Sequence, residues 1–190
     1  MLFDFSPVET QQIKLHDFAQ QFGIDDLRAA TNASLDLILD LIADADDAQM
    51  VFLPEDPLAD DPYAPPEERY LGWSLAHLVA HVTASSEESA AYSAILSRGI
   101  AYPREPRLRY ETDWHTFKTR AQVLQRLEES RRMRLAALDT WPDEPHLDVF
   151  REVSERYIER NGLKHEHGHH AQIRETARKA CEALAPAGRC

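Results

Sequence analysis

The sequence predicts an all-α fold, most simply four long helices, on three observations. The eleven prolines fall in clusters, at positions 54, 57, 62, 65 and 66, at 103 and 106, and at 142 and 145, with Pro7 and Pro186 near the ends. Proline is excluded from helix interiors, so the clusters bound proline-free blocks at residues 8–53, 67–102, 107–141 and 146–185. Only six glycines occur, and no run of alternating β-branched residues signals a strand. Within each block, apolar residues instead recur at three- and four-residue spacing.

The first block carries Leu27, Ala30, Leu37, Ile38, Leu41 and Ile42 on that period, with Asp25 and Asp26 as a helix start. In the second, Ser74 is the expected N-cap, followed by Leu75, Leu78, Val79, Val82, Tyr92 and Ile95, with the end near Gly99. The third is expected to start at Thr112 or Asp113 and to run through Trp114, Phe117, Ala121, Leu124, Leu127, Leu135 and Leu138. Phe150, Val153, Tyr157 and Ile158 open the fourth, which continues through a histidine run to Ile173, Ala177, Cys181 and Leu184. Asn161, Gly162 and Gly168 weaken it, each glycine by about 1 kcal/mol relative to alanine, so a break before the histidines is one expectation and close helix approach at Gly168 another.

With 190 residues, one domain spanning 1–190 is expected, with a core over about 8–185 and an acidic, proline-rich loop at 54–68. A formal charge of −12 makes nucleic acid an unsuitable partner, because neutralising phosphates requires a basic face. Arg131, Arg132 and Arg134 form the one dense basic cluster and are expected to solvate a helix surface. The start of the chain shows no leader pattern, and no run of eighteen apolar residues signals a membrane span. Two cysteines, Cys181 and Cys190, make no disulfide framework, and a cytoplasmic location is expected.

Chemistry is concentrated in His165, Glu166, His167, Gly168, His169 and His170, with His77 and His81 upstream at the spacing of His165 and His169. Residues four apart on a helix share a face, with Cβ atoms about 5–6 Å apart, so two imidazoles can share one cation. Read literally, His165 to His169 matches the H-E-x-x-H signature of zinc proteases, with Glu166 as base, but only Glu175 and Glu182 on the same helix follow as third ligands. Glu166 and His169 also make one Glu-x-x-His step of a di-iron bundle, which needs two. The remaining option takes His165 and His169 as the inward pair and completes it with His81 from another helix. Three neutral imidazoles leave an open position suited to Zn²⁺ and acceptable to Ni²⁺ or Fe²⁺.

Trp73 and Ser74 followed by His81, and His165 followed by His169, Gln172 and Ile173, resemble the two signature segments of the DinB/YfiT-like metalloenzymes. The likeness runs from the first helix to about Ala183 and implies a four-helix bundle with a long crossover, often a homodimer. It also implies a metal triad of His81, His165 and His169, and thiol-dependent activities such as S-transfer to or from a low-molecular-weight thiol. His77 departs from the pattern, which commonly has a carboxylate there; it is expected as a surface or capping substitution, or else as a group supporting the ligands or a fourth ligand that would close the site.

The expected function is therefore a metal-dependent hydrolase or thiol-dependent S-transferase acting on a small molecule. A non-catalytic metal-binding or stress-response bundle is the alternative, and a zinc protease a minor one. His167 and His170 are expected toward solvent or a neighbouring helix, with His170 able to reach the pocket rim. Glu166 is expected as a solvated or supporting group. Gln172, Glu88 and Tyr92 are minor candidates for contacts in the pocket. Trp73, Trp114 and Trp141 are read as packing residues, and His16, His115 and His146 receive no role.

Overall fold

A computed structural model describes residues 1–100, 111–143 and 162–184. In chain order the described helices are α1 (Ser6–Glu9), α2 (Leu15–Ala19), α3 (Ile24–Leu41), α4 (Asp47–Met50), α5 (Leu75–Leu96), α6 (Arg120–Asp139) and α7 (Leu163–Leu184). A 3₁₀ turn at Trp114–Thr116 precedes α6, and no strand occurs among the described residues. The chain is all-α, as expected. No described helix is long and apolar enough to cross a membrane.

Besides its long helix, the first proline-free block holds the short α2 and α4, while α1 straddles Pro7 at its edge. α3 starts at Ile24, with Asp25 and Asp26 in its first turn and the Asp26 carboxylate accepting from the Gly23 N–H at 2.9 Å. Acidic groups there complement the exposed N–H groups of the helix end. Ser74 caps α5 as expected, its hydroxyl accepting from the His77 N–H at 3.1 Å. The helix ends at Leu96, and Gly99, at φ 74°, turns the chain back with its N–H on the Leu96 carbonyl.

The third helix starts later than expected. Asp113 caps the 3₁₀ turn instead, and α6 is capped by Thr119, whose hydroxyl accepts from the Gln122 N–H while the Gln122 side chain accepts from the Thr119 N–H. This reciprocal box satisfies two orphan donors, which a lone aspartate cannot match. α7 starts at Leu163, just after Gly162. The expected residues Phe150, Val153, Tyr157, Ile158 and Asn161 lie outside the described residues, as do His146 and Cys190.

α5 packs against α6 and α7, and α3 packs against the same two. Cross-helix contacts give the directions. Arg28 meets Asp139, Arg131 meets Asp36, and Arg120 donates to the Ala43 carbonyl, so α3 and α6 are antiparallel. Glu87 pairs with Arg126, and Arg98 donates to the Thr140 carbonyl, so α5 and α6 are parallel. Parallel neighbours cannot be joined by a tight turn, and residues 97–119 connect them.

Two apolar clusters fill the interior. One gathers Leu35, Ile38, Leu75, Leu78, Val82, Leu127 and Ile173, and the other Phe3, Phe5, Phe18, Leu27, Leu138 and Leu163. Burying each such large side chain stabilises the fold by about 1.5–3 kcal/mol. Between the clusters each of the long described helices contributes buried polar groups: Ser34 from α3, Glu87 from α5, Ser130 and Arg134 from α6, and Glu166 and His170 from α7.

Three expectations are corrected here. Ala121 is exposed rather than on the buried stripe of α6, which runs instead through Val123, Arg126, Leu127, Ser130, Arg134 and Leu138. Arg134 is 1% exposed, not solvating a surface, because Glu166 supplies a buried carboxylate for it. A Cβ built on Gly168 meets nothing within 4 Å, so no close helix approach requires that glycine.

Candidate metal centre

α5 and α7 cross where His81 faces the first two turns of α7. His165 and His169 lie one turn apart on the α7 face toward α5, and His81 completes the group from α5. Nε2 of His165 is 3.1 Å from Nε2 of His81 and 3.2 Å from Nε2 of His169. The three ligand atoms all lie within 4.8 Å of one another. Nitrogens bound about 2.0–2.1 Å from a common tetrahedral centre lie about 3.3–3.4 Å apart, so the two short separations match a shared zinc-sized ion.

The outer nitrogens are committed elsewhere. Nδ1–H of His169 donates to Gln172 Oε1 at 2.8 Å, and Nδ1–H of His81 donates to Glu111 Oε2 at 3.0 Å. With the protons there, both rings turn Nε2 lone pairs toward His165. A single proton on His165 Nε2 can satisfy only one of them, so a cation is what the donor set fits. Burial pushes the His169 imidazole below its ordinary value, against the opposing hydrogen bond to Gln172, and keeps it in the neutral form that ligates.

His77 is neither a surface group nor aimed at the triad. Its ring is stacked between Trp73, with centroids 4.3 Å apart, and Trp114, at 5.0 Å and 8° between planes. Its Nε2 stands 3.5 Å from Glu111 Oε1. Burial raises the Glu111 carboxyl, but the hydrogen bonds and charges of His77 and His81 outweigh it and bring it down to about 2. Sequence reasoning missed Glu111. It lies thirty residues from His81 with no helical spacing to mark it. Trp73 and Trp114 pack as expected, but against histidines; Trp114 also stacks on His115, which pairs with Glu68 and Asp113.

The other half of the histidine run faces elsewhere. Glu166 is fully buried and takes two hydrogen bonds from Arg134, at 2.9 and 3.1 Å, and one from the Ser34 hydroxyl at 2.8 Å. Nε2 of His170 lies 3.1 Å from the same hydroxyl, so His170 joins the buried polar layer and not the pocket rim. His167 packs its ring 5.1 Å from that of Phe5. Glu88 is buried.

Two cavities lie near the triad, of which the first has His165 and His169 in its wall. One of about 470 Å³ is lined by Leu15, Lys164, His165, Gly168, His169 and Gln172. The other, about 320 Å³, lies under the 54–68 loop, where Asp56, Leu58, Asp60 and Asp61 face Trp73 and Gln172. That loop is drawn onto the helices: Lys179 donates to the Glu55 carbonyl, and Gly72 approaches the Pro54 backbone too closely to admit a Cβ.

No family model, no curated protein and no solved structure matches the chain.

Proposed function

We propose that the chain is a metal-dependent enzyme, built as a DinB/YfiT-like four-helix bundle with a long crossover between the parallel helices α5 and α6. A divalent ion, best matched by zinc, is held by His81, His165 and His169. The observation that carries this reading is the convergence of three Nε2 atoms from two helices, 3.1 and 3.2 Å apart along its two short edges. Nickel and iron fit the same donors less selectively.

Three protein ligands favour an enzyme over a purely structural site, which would use four. His77, the residue the sequence suggests as a fourth, is turned into the tryptophan stack. When bound, the ion supplies Lewis acidity that brings a water or a thiol toward ionisation near neutral pH. Around it, Gln172 and Glu111 orient the ligating rings, and Trp73 walls one side. The 470 Å³ cavity on the other side has room for a small molecule or a low-molecular-weight thiol. Hydrolysis and thiol-dependent S-transfer are the two reactions this arrangement supports; a cytoplasmic homodimer completes the reading. The protease alternative has less support, because the Glu166 carboxylate that would act as base is committed to Arg134.

The experiment is zinc titration of two variants. His169→Ala is expected to abolish binding and His167→Ala to leave it intact. Retained binding in His169→Ala with loss in His167→Ala would overturn the assignment.

A further inference from the structure

We infer that Glu111 is a positioning residue for His81, holding its ring in the Nδ1–H tautomer with Nε2 toward the triad, and that His77 anchors Glu111. The consequence for metal affinity rests on the function proposed above; the positioning itself rests on geometry alone.

A carboxylate only accepts hydrogen bonds, so Glu111 Oε2, 3.0 Å from His81 Nδ1, selects the tautomer that carries its proton on that nitrogen. The lone pair is then on Nε2, the atom 3.1 Å from His165. Both ends of the ring are thus assigned by one contact. Glu111 is not itself a fourth ligand, because it meets the nitrogen of His81 that points away from the other two imidazoles.

What fixes the carboxylate is its second oxygen, 3.5 Å from Nε2 of His77. That imidazole cannot turn without unstacking from two indoles, Trp73 at 4.3 Å and Trp114 at 5.0 Å. Trp114 follows Glu111 by three residues, so the segment that delivers the carboxylate also closes the stack on its anchor. His77 and His81 lie one turn apart on α5 and share one carboxylate, yet only His81 belongs to the triad. This explains why a histidine stands at 77 without ligating. Removing such an outer partner from a ligating histidine commonly costs 10- to 100-fold in metal affinity.

The test uses the full chain labelled with ¹⁵N at histidine, first without metal and above neutral pH. Wild type is expected to show His81 as the Nδ1–H tautomer. In Glu111→Ala the ring should move toward Nε2–H, the form that free histidine favours. Glu111→Gln, which keeps an acceptor oxygen without the charge, should retain the wild-type tautomer and guard against a folding artefact. Zinc affinity, read by chelator competition, should fall about 10- to 100-fold in Glu111→Ala and less in Glu111→Gln. His77→Phe keeps a ring between the indoles but removes the anchor nitrogen, and is expected to weaken zinc severalfold. An unchanged His81 tautomer in Glu111→Ala would overturn the inference, as would zinc affinity within twofold of wild type. A tautomer that depends on Glu111 in a chain that takes up no zinc would support the positioning of His81 and sink the metal-dependent reading instead.

Discussion

Arg134→Ala would leave the Glu166 carboxylate buried with only the Ser34 hydroxyl among its described hydrogen-bond donors, since both of its other bonds come from that guanidinium. Breaking a buried pair from one side is expected to cost about 3–5 kcal/mol, read as a fall in the urea midpoint; a loss under about 1 kcal/mol would contradict the burial. The same two residues show what the sequence left open. Successive helical residues are about 100° apart, so His165 with His169 and Glu166 with His170 are two pairs at equal spacing on one helix, aimed at different neighbours. Spacing marked both pairs alike. Only the neighbours decide: α5 brings His81 to the first pair, whereas α3 and α6 bring Ser34 and Arg134 to the second. The triad was legible because histidines are rare and the His81 segment had its own cap and apolar stripe. Glu111 was not, because nothing in a sequence marks one glutamate between a proline cluster and a helix as the partner of a ring thirty residues away.

Within the elements, two glycines make opposite predictions. Gly168 lies inside α7, exposed, and a Cβ there meets nothing within 4 Å. Gly168→Ala is therefore expected to stabilise the chain by about 0.5–1 kcal/mol through helix propensity alone. A Cβ on Gly72 would run into the backbone carbonyl of Pro54, which cannot swing aside as a flexible side chain can. Gly72→Ala should lower the melting temperature and loosen the 54–72 loop to protease, and a neutral result would contradict that close approach. Helix existence was legible from the proline blocks, and the start of α5 from Ser74. The start of α6 was not, because Thr112, Asp113 and Thr119 are all good caps, and only the reciprocal bond between Thr119 and Gln122 separates them. The buried stripe of α6 was hidden for a related reason: two of its members, Arg126 and Arg134, are arginines whose carboxylate partners lie on other helices.

At the scale of the molecule, stability should follow pH in two windows. His169 and His170 are both held below their ordinary value of 6.5, chiefly by burial. Just below that value the unfolded chain binds more protons than the folded one, so their contribution is full above pH 6.5 and is lost as pH falls through their folded values. Glu111 acts lower, its contribution present above 4.5 and lost as pH falls toward about 2. The metal-free chain should therefore lose urea resistance in two steps on acidification, the first absent from a His169→Ala, His170→Ala double variant; a flat profile between pH 7 and 5 would contradict the burial of both rings. The all-α class was legible from composition and period. The polar layer between the two apolar clusters was not, because its members are drawn from four helices and each alone reads as a surface residue. The central claim, that α5 and α7 together build a metal site, is tested most directly by elemental analysis of untagged protein beside His81→Ala. About one zinc, nickel or iron per chain, lost in the variant, is the predicted result; no metal in the wild type after reconstitution would contradict it.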